Sequence, residues 1–241
     1  MPATFTPFSA AHAIVFIACA GAMLALITLG LRARPSPPAA LRLHRAWLAI
    51  VAAVQVANLV YFALPRNLNP GTSLPLHICD LAGLVAFFAL ATPRRVLRAV
   101  LYYWGLGLST QAFVTPTVDT GPDTFKFYLF FASHVTIVAS ALYDVVVLRF
   151  RPTWRDYGLI TLVSLIYLAL ILPFDLALGF NYGYVGDTRP ERPTLIDRLG
   201  PWPLRLLWMF LISQALFAAL TALWMLPVAR RRRDATAASI N

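Results

Sequence analysis

Charge is scarce in this chain. Only 12% of its 241 residues are charged, against 59% that are hydrophobic. A large soluble core would still leave charged helix faces, and these are missing, which argues against a soluble globular protein. Cysteine is equally sparse. The only two, Cys19 and Cys79, do not make a disulfide framework. Cys19 lies inside the first apolar run among alanine and isoleucine and reads as a small packing residue. Strand-like alternation is absent, which argues against a barrel. Glycine-rich phosphate-cradling loops and a Gly-x-Ser-x-Gly elbow are absent too, so no cofactor is implied. The N-terminus lacks the basic stretch of a signal peptide. Its first positive charge, Arg32, follows the first apolar run, so that run is expected to be retained as a helix with its N-terminus outside.

What is present is apolar sequence of membrane-spanning length. A helix rises about 1.5 Å per residue, so crossing about 30 Å of hydrocarbon takes roughly 20 residues. Lipid offers no partner to backbone polar groups, so spans must be closed helices. Seven spans are predicted, at 12–31, 46–64, 75–92, 96–114, 125–148, 157–178 and 204–227. The expected fold is an all-α polytopic bundle over 1–229 followed by a basic cytoplasmic tail, 230–241, that is irregular beyond Arg233. The segment Pro35-Ser36-Pro37-Pro38 reads as a short linker.

The net charge is +10. No basic groove is interleaved with exposed aromatics, so nucleic acid is not an expected partner. Topology accounts for the charge. Arg32, Arg34, Arg42 and Arg45 follow the first span, Arg94, Arg95 and Arg98 the third, Arg149, Arg151 and Arg155 the fifth, and Arg230 to Arg233 the seventh. The other side holds Arg66, Lys126, Arg189, Arg192, Arg198 and Arg205, with Asp119, Asp123, Asp187, Glu191 and Asp197 close by. The arginine-rich side is expected to be cytoplasmic, giving N-out and C-in. The longest outer connection, 179–203, is a candidate lid or headgroup contact, and its Trp202 between two prolines reads as an interfacial anchor. No internal repeat is visible, which weakens a transporter built on inverted repeats.

Polar residues inside the spans carry the functional signal, because lipid makes them expensive. Asn58, His77, Cys79, Asp80, Gln111, Lys126 and His134 fall toward the outer half, with Asp175 and Asn181 at the outer end of the sixth span. Gln55 and Asp144 lie deeper, and Asp144 is expected to pair with Arg149 or Arg151. His77 and Asp80, at i and i+3, share a helix face, so the carboxylate can orient the imidazole. Cys79 points about 100° from Asp80 and needs a base from elsewhere, either His134 or a distorted His77. A cysteine beside a histidine is a workable nucleophile pair, because imidazole supplies the thiolate. Depth is the difficulty. His134 lies roughly 14 Å below residue 125, and Cys79 only about 6 Å below residue 75. They meet if the fifth span begins above the interface or if the chain before Pro75 dips into the bundle. His77, Cys79, Asp80 and His134 are also zinc ligand types, but their spacing matches no two-plus-two pattern, so no metal is expected. Trp104 and Gln111, seven apart, share a helix face, which is as readily packing as ligand contact.

The block Leu74-Pro75-Leu76-His77-Ile78-Cys79-Asp80-Leu81 resembles the signature of the YwaF-like family of bacterial integral membrane proteins. Three further blocks fit in order: Tyr103-Trp104-Gly105-Leu106 with Gln111 and Thr115-Pro116; Phe131-Ala132-Ser133-His134; and Asn181-Tyr182 with Leu199-Gly200-Pro201-Trp202-Pro203. They span roughly residues 55–225. One departure is Val135, where the family often has a small residue. That family is similar to the eukaryotic transmembrane protein 164 group, described as a lipid acyltransferase acting on ether phospholipids through a conserved cysteine. The resemblance implies Cys79 as acyl-carrying nucleophile and His134 or His77 as base.

The leading expectation is therefore a phospholipid acyltransferase or transacylase that works through a cysteine thioester. Cys79, His134, His77 and Asp80 are its candidate catalytic residues. Asn58, Trp104, Gln111, Lys126, Asn181 and Tyr182 are its candidate substrate contacts, with Lys126, Arg189 or Arg192 attracting a headgroup phosphate. Two other classes fit the same residues: a proton-linked transporter or binding protein for a polar ligand, using His77, Asp80 and His134, and a non-catalytic membrane partner protein.

Overall fold

The computed structural model describes residues 5–92, 94–187 and 195–238; for residues 195, 197 and 226–238 it describes the backbone alone. Helices follow in the order α1 (Ala10–Ala33), α2 (Pro37–Ala63), α3 (Ile78–Ala91), α4 (Arg95–Val100), a π-helical stretch (Leu101–Leu108), α5 (Gln111–Val114), α6 (Phe125–Val146), α7 (Trp154–Leu178) and α8 (Leu204–Ala238). No β-strand occurs among the described residues. The chain is all-α, as expected.

Five of these helices, α1, α2, α6, α7 and α8, are long and apolar enough to cross a membrane. The third and fourth expected spans have another form. α3 has 14 residues, about 21 Å at 1.5 Å per residue, which is short of a full crossing. The fourth run is broken into α4, the π-helical stretch and α5. The helix ends follow local chemistry. Thr124 and Thr153 cap α6 and α7 by accepting backbone N–H groups, Asp156 completes a capping box, and Gly179 closes α7 at a positive φ of 67°. α2 begins at Pro37 rather than at residue 46. Pro37 and Pro38 of the expected linker occupy its first turn, where a missing N–H costs nothing. The helix of α8 runs on through Ala238 rather than ending near residue 227, and residues 239–241 of the expected tail lie outside the described residues.

α6 is the hub. In its most apolar window 72% of the residues are buried, against 11–22% in the other four long helices. It packs on α1, α2, α3 and the π-helical stretch. Those outer helices turn leucine, isoleucine and phenylalanine outward; Ile17, Leu24, Leu170 and Leu223 are each more than 60% exposed. Apolar surface on this scale is what a bilayer, not water, covers. Small residues set the inner spacing. Gly83 lies under the Gln55 amide, Gly105 against Ala141, and Gly107 against Phe217. α8 is tied to the π-helical stretch by Tyr103 Oη and Thr221 Oγ1 at 2.6 Å and by Tyr102 Oη donating to the Leu220 carbonyl.

One end of the bundle gathers arginines. Arg34 donates to the Val147 carbonyl at the end of α6, Arg151 to Val145, Arg98 pairs with Asp144 at 2.7 Å and Arg95 with Asp156 at 2.6 Å. The expected partners of Asp144 are corrected here. Arg149 and Arg151 follow it in sequence, but α6 ends between them, whereas Arg98 on α4 lies across from the carboxylate. Cations at the carboxyl end of α6 also meet its unpaired carbonyls.

Candidate active site

At the opposite end, the chain between α2 and α3 does not rise straight into a helix. Residues 64–77 are irregular, and Leu74 and Leu76 pack against the buried core. The chain before Pro75 therefore dips into the bundle. His77 immediately precedes α3, so Cys79 and Asp80 stand in its first turn. The backbone N–H groups of Asp80 and Leu81 turn back to the His77 carbonyl, and that of Cys79 lies against its own thiol.

A segment after α7 closes over this entry. Tyr182 is fully buried; its hydroxyl donates to the Pro70 carbonyl at 2.6 Å and accepts from Leu74 N at 3.0 Å. Its ring and that of Tyr184 pack on the His77 imidazole, with centroids 5.0 and 5.7 Å away. Gly183 N–H donates to His77 Nδ1 at 3.2 Å. Gly183 has a φ of 62° and lies so close to Tyr167 that a side chain there would collide with the Tyr167 hydroxyl, which itself donates to the Leu76 carbonyl at 2.8 Å. Asp175, fully buried near the end of α7, stands against Tyr167 and the Tyr182 backbone.

Cys79 is half-buried. The Ser109 hydroxyl, at the end of the π-helical stretch, lies beside its thiol. Ser109 Oγ also donates to the Trp104 carbonyl at 3.0 Å, and Ser109 N–H donates to the same carbonyl at 2.8 Å. This five-residue step is the π-turn that places Ser109. Asp80 lies within electrostatic range of Cys79, Tyr167 and Tyr182. Its Oδ2 accepts the backbone N–H of His77 at 3.2 Å. The carboxylate thus holds the main chain of His77 rather than its ring, as the first expectation had it, because His77 is the capping residue and not a helical one.

His134 is buried on α6, within electrostatic range of His77. Its Nδ1 meets the Phe130 carbonyl at 2.8 Å. A carbonyl only accepts, so Nδ1 carries the hydrogen and Nε2 presents a lone pair. His77 is the reverse. Its Nδ1 accepts from Gly183, so its neutral ring carries the hydrogen on Nε2.

The candidate substrate contacts divide. Tyr182, Trp104 and Asn181 belong to or border this region, Tyr182 and Trp104 as buried members; Trp104 Nε1 donates to Ser164 and its ring meets Tyr167 edge-on. Asn58 is half-buried on α2. Gln111 is exposed, because the π-turns between it and Trp104 break the seven-residue register. Lys126 pairs with Asp119 at the surface, 2.8 Å away. Arg189 and Arg192 lie outside the described residues. Ser109, Tyr167 and Gly183 were not legible as site residues. A serine in an apolar run, and an aromatic and a glycine distant in sequence, give no local signal. Among the described residues no cluster of three or more His, Cys, Asp or Glu is arranged to hold a metal ion.

The TMEM164 family profile matches residues 7–225. No curated protein and no solved structure matches the chain.

Proposed function

This chain belongs to the TMEM164 family, a multi-pass membrane protein by its apolar helices, and we propose that it is a phospholipid acyltransferase working through a thioester on Cys79. The observation that carries this reading is a thiol in the first turn of α3, beside the Ser109 hydroxyl, with His134 and its base-competent Nε2 on α6, the helix that packs on α3. We further propose seven crossings, with α3 and the broken fourth run completing the bundle, the arginine-rich end cytoplasmic, and the chain a YwaF-like protein of the bacterial inner membrane.

The reaction runs in two halves. His134 Nε2 takes the Cys79 thiol proton as Sγ attacks an ester carbonyl carbon. The S–C bond forms, and the carbonyl electron pair moves to oxygen. The positive end of the α3 dipole, at which Cys79 stands, is suited to such a developing charge. Collapse breaks the C–O bond, and His134 returns its proton to the leaving lipid oxygen. In the second half, His134 Nε2 takes the proton of an acceptor hydroxyl, whose oxygen attacks the thioester carbonyl. The Cys79 thiolate leaves and takes that proton from His134. Ser109, whose hydrogen goes to the Trp104 carbonyl, accepts the thiol hydrogen in the resting state and so orients Sγ.

Proteoliposomes containing a phospholipid with a labelled acyl chain and an unlabelled lysophospholipid acceptor test this. Wild type transfers label to the acceptor, and Cys79→Ser does so at background. Equal transfer by both would refute the nucleophile assignment.

A further inference from the structure

By sequence alone His77 and His134 are both candidates for the base. The surroundings of His77 separate the two. A backbone N–H has no option but to donate, and Gly183 N–H points at His77 Nδ1. A neutral His77 therefore has its proton on Nε2 and no lone pair there. The fixing is mechanical as well as electronic. Tyr182 and Tyr184 flank the ring, Tyr182 is anchored to Pro70 and Leu74, and Asp80 holds the His77 main chain. Gly183 reaches this position only at a positive φ and only without a side chain.

Resting on the acyl-transfer reading, we propose that His77 is an electrophilic donor rather than a base: its Nε2–H donates to the substrate carbonyl oxygen as that oxygen gains charge, and the Gly183 N–H is the positioning group that holds this tautomer. His77 precedes Cys79 by two residues at the mouth of the same helix. A carbonyl whose carbon is attacked by Sγ thus has its oxygen near the start of α3. No bond to His77 forms or breaks and no proton leaves it. His134, with the opposite tautomer, does all the proton transfer.

Acylation and alkylation of Cys79 discriminate the roles, because alkylation by iodoacetamide needs the thiolate but develops no oxyanion. In detergent-purified protein incubated with mixed phospholipids, His77→Ala is expected to acylate about 100-fold more slowly than wild type, the usual consequence of losing one such donor. Its alkylation rate stays at the wild-type value. His77→Gln, which keeps an N–H donor at a similar reach, recovers at least tenfold over His77→Ala. His134→Ala slows both reactions. Acylation of His77→Ala at the wild-type rate, or parallel loss of alkylation, overturns the donor role alone. No adduct on wild type sinks the acyl-transfer reading and the donor role with it. Nitrogen-15 NMR of histidine-labelled protein, assigned with His77→Gln, gives an independent reading. Hydrogen on Nε2 of His77 and on Nδ1 of His134 is expected, and hydrogen on Nδ1 of His77 would overturn the proposal.

Discussion

Ser109 stands beside the Cys79 thiol while donating its own hydrogen to the Trp104 carbonyl five residues back. The serine is therefore held by a π-turn where the fourth apolar run meets Cys79. π-turns inside helices are frequent at functional sites, because they shift the register of everything that follows.

Ser109→Ala should slow acylation of Cys79 by about 10-fold, the equivalent of one neutral hydrogen bond that orients the thiol. The fold should persist, since Ser109 N–H still reaches Trp104. The check is the rate of adduct formation by mass spectrometry at matched detergent and lipid. A wild-type rate would remove Ser109 from the site.

Gly183→Ala should impair acylation as strongly as His77→Ala, because the new methyl group collides with the Tyr167 hydroxyl and a left-handed φ costs a side-chain-bearing residue about 1–2 kcal/mol. Adding Tyr167→Phe removes the colliding oxygen, so the double variant should recover part of the loss. The double-mutant cycle measures this directly. Purely additive losses would show that the glycine acts some other way.

Much of the scaffold was legible in the sequence. Runs of apolar residues gave α1, α6 and α7 within a few residues, and the arginines gave the two ends of the bundle. Three things were hidden. α2 starts at Pro37 because proline suits a first helical turn, although a proline cluster reads as a linker. The fourth run looks uniform by hydropathy, yet it breaks at Ser109, where a side chain and a backbone N–H share one carbonyl. The pairing of His77 with Gly183 spans 106 residues, and no periodicity reports a contact at that distance. Cys79, His77, Asp80 and His134 stood out for a simpler reason: each is a polar cost that an apolar helix does not carry idly.

Arg98→Ala should destabilise the protein by about 3–5 kcal/mol, since it strands the Asp144 carboxylate, 3% exposed, without its cation. Arg95→Ala, whose side chain is 56% exposed, should cost less. Thermal unfolding in one detergent compares them. Equal melting temperatures for Arg98→Ala and wild type would contradict the pairing.

Cys19→Ala should leave acylation unchanged. Cys19 packs in a cluster with Phe113, Phe131 and Val138, whereas Cys79 packs against another cluster and lies beside Ser109. Adduct formation by the Cys19→Ala variant at the wild-type rate is the expected result. Its loss would move the acyl site to the first helix.

The central claim is a covalent one and has a direct measurement. Purified protein is incubated with mixed phospholipids and its intact mass is recorded for wild type and Cys79→Ala. The account predicts a fatty-acyl increment on wild type, removed by hydroxylamine and absent from the variant. Folded wild-type protein that gains no acyl mass across several phospholipid classes, or a variant that gains the same mass, would contradict it.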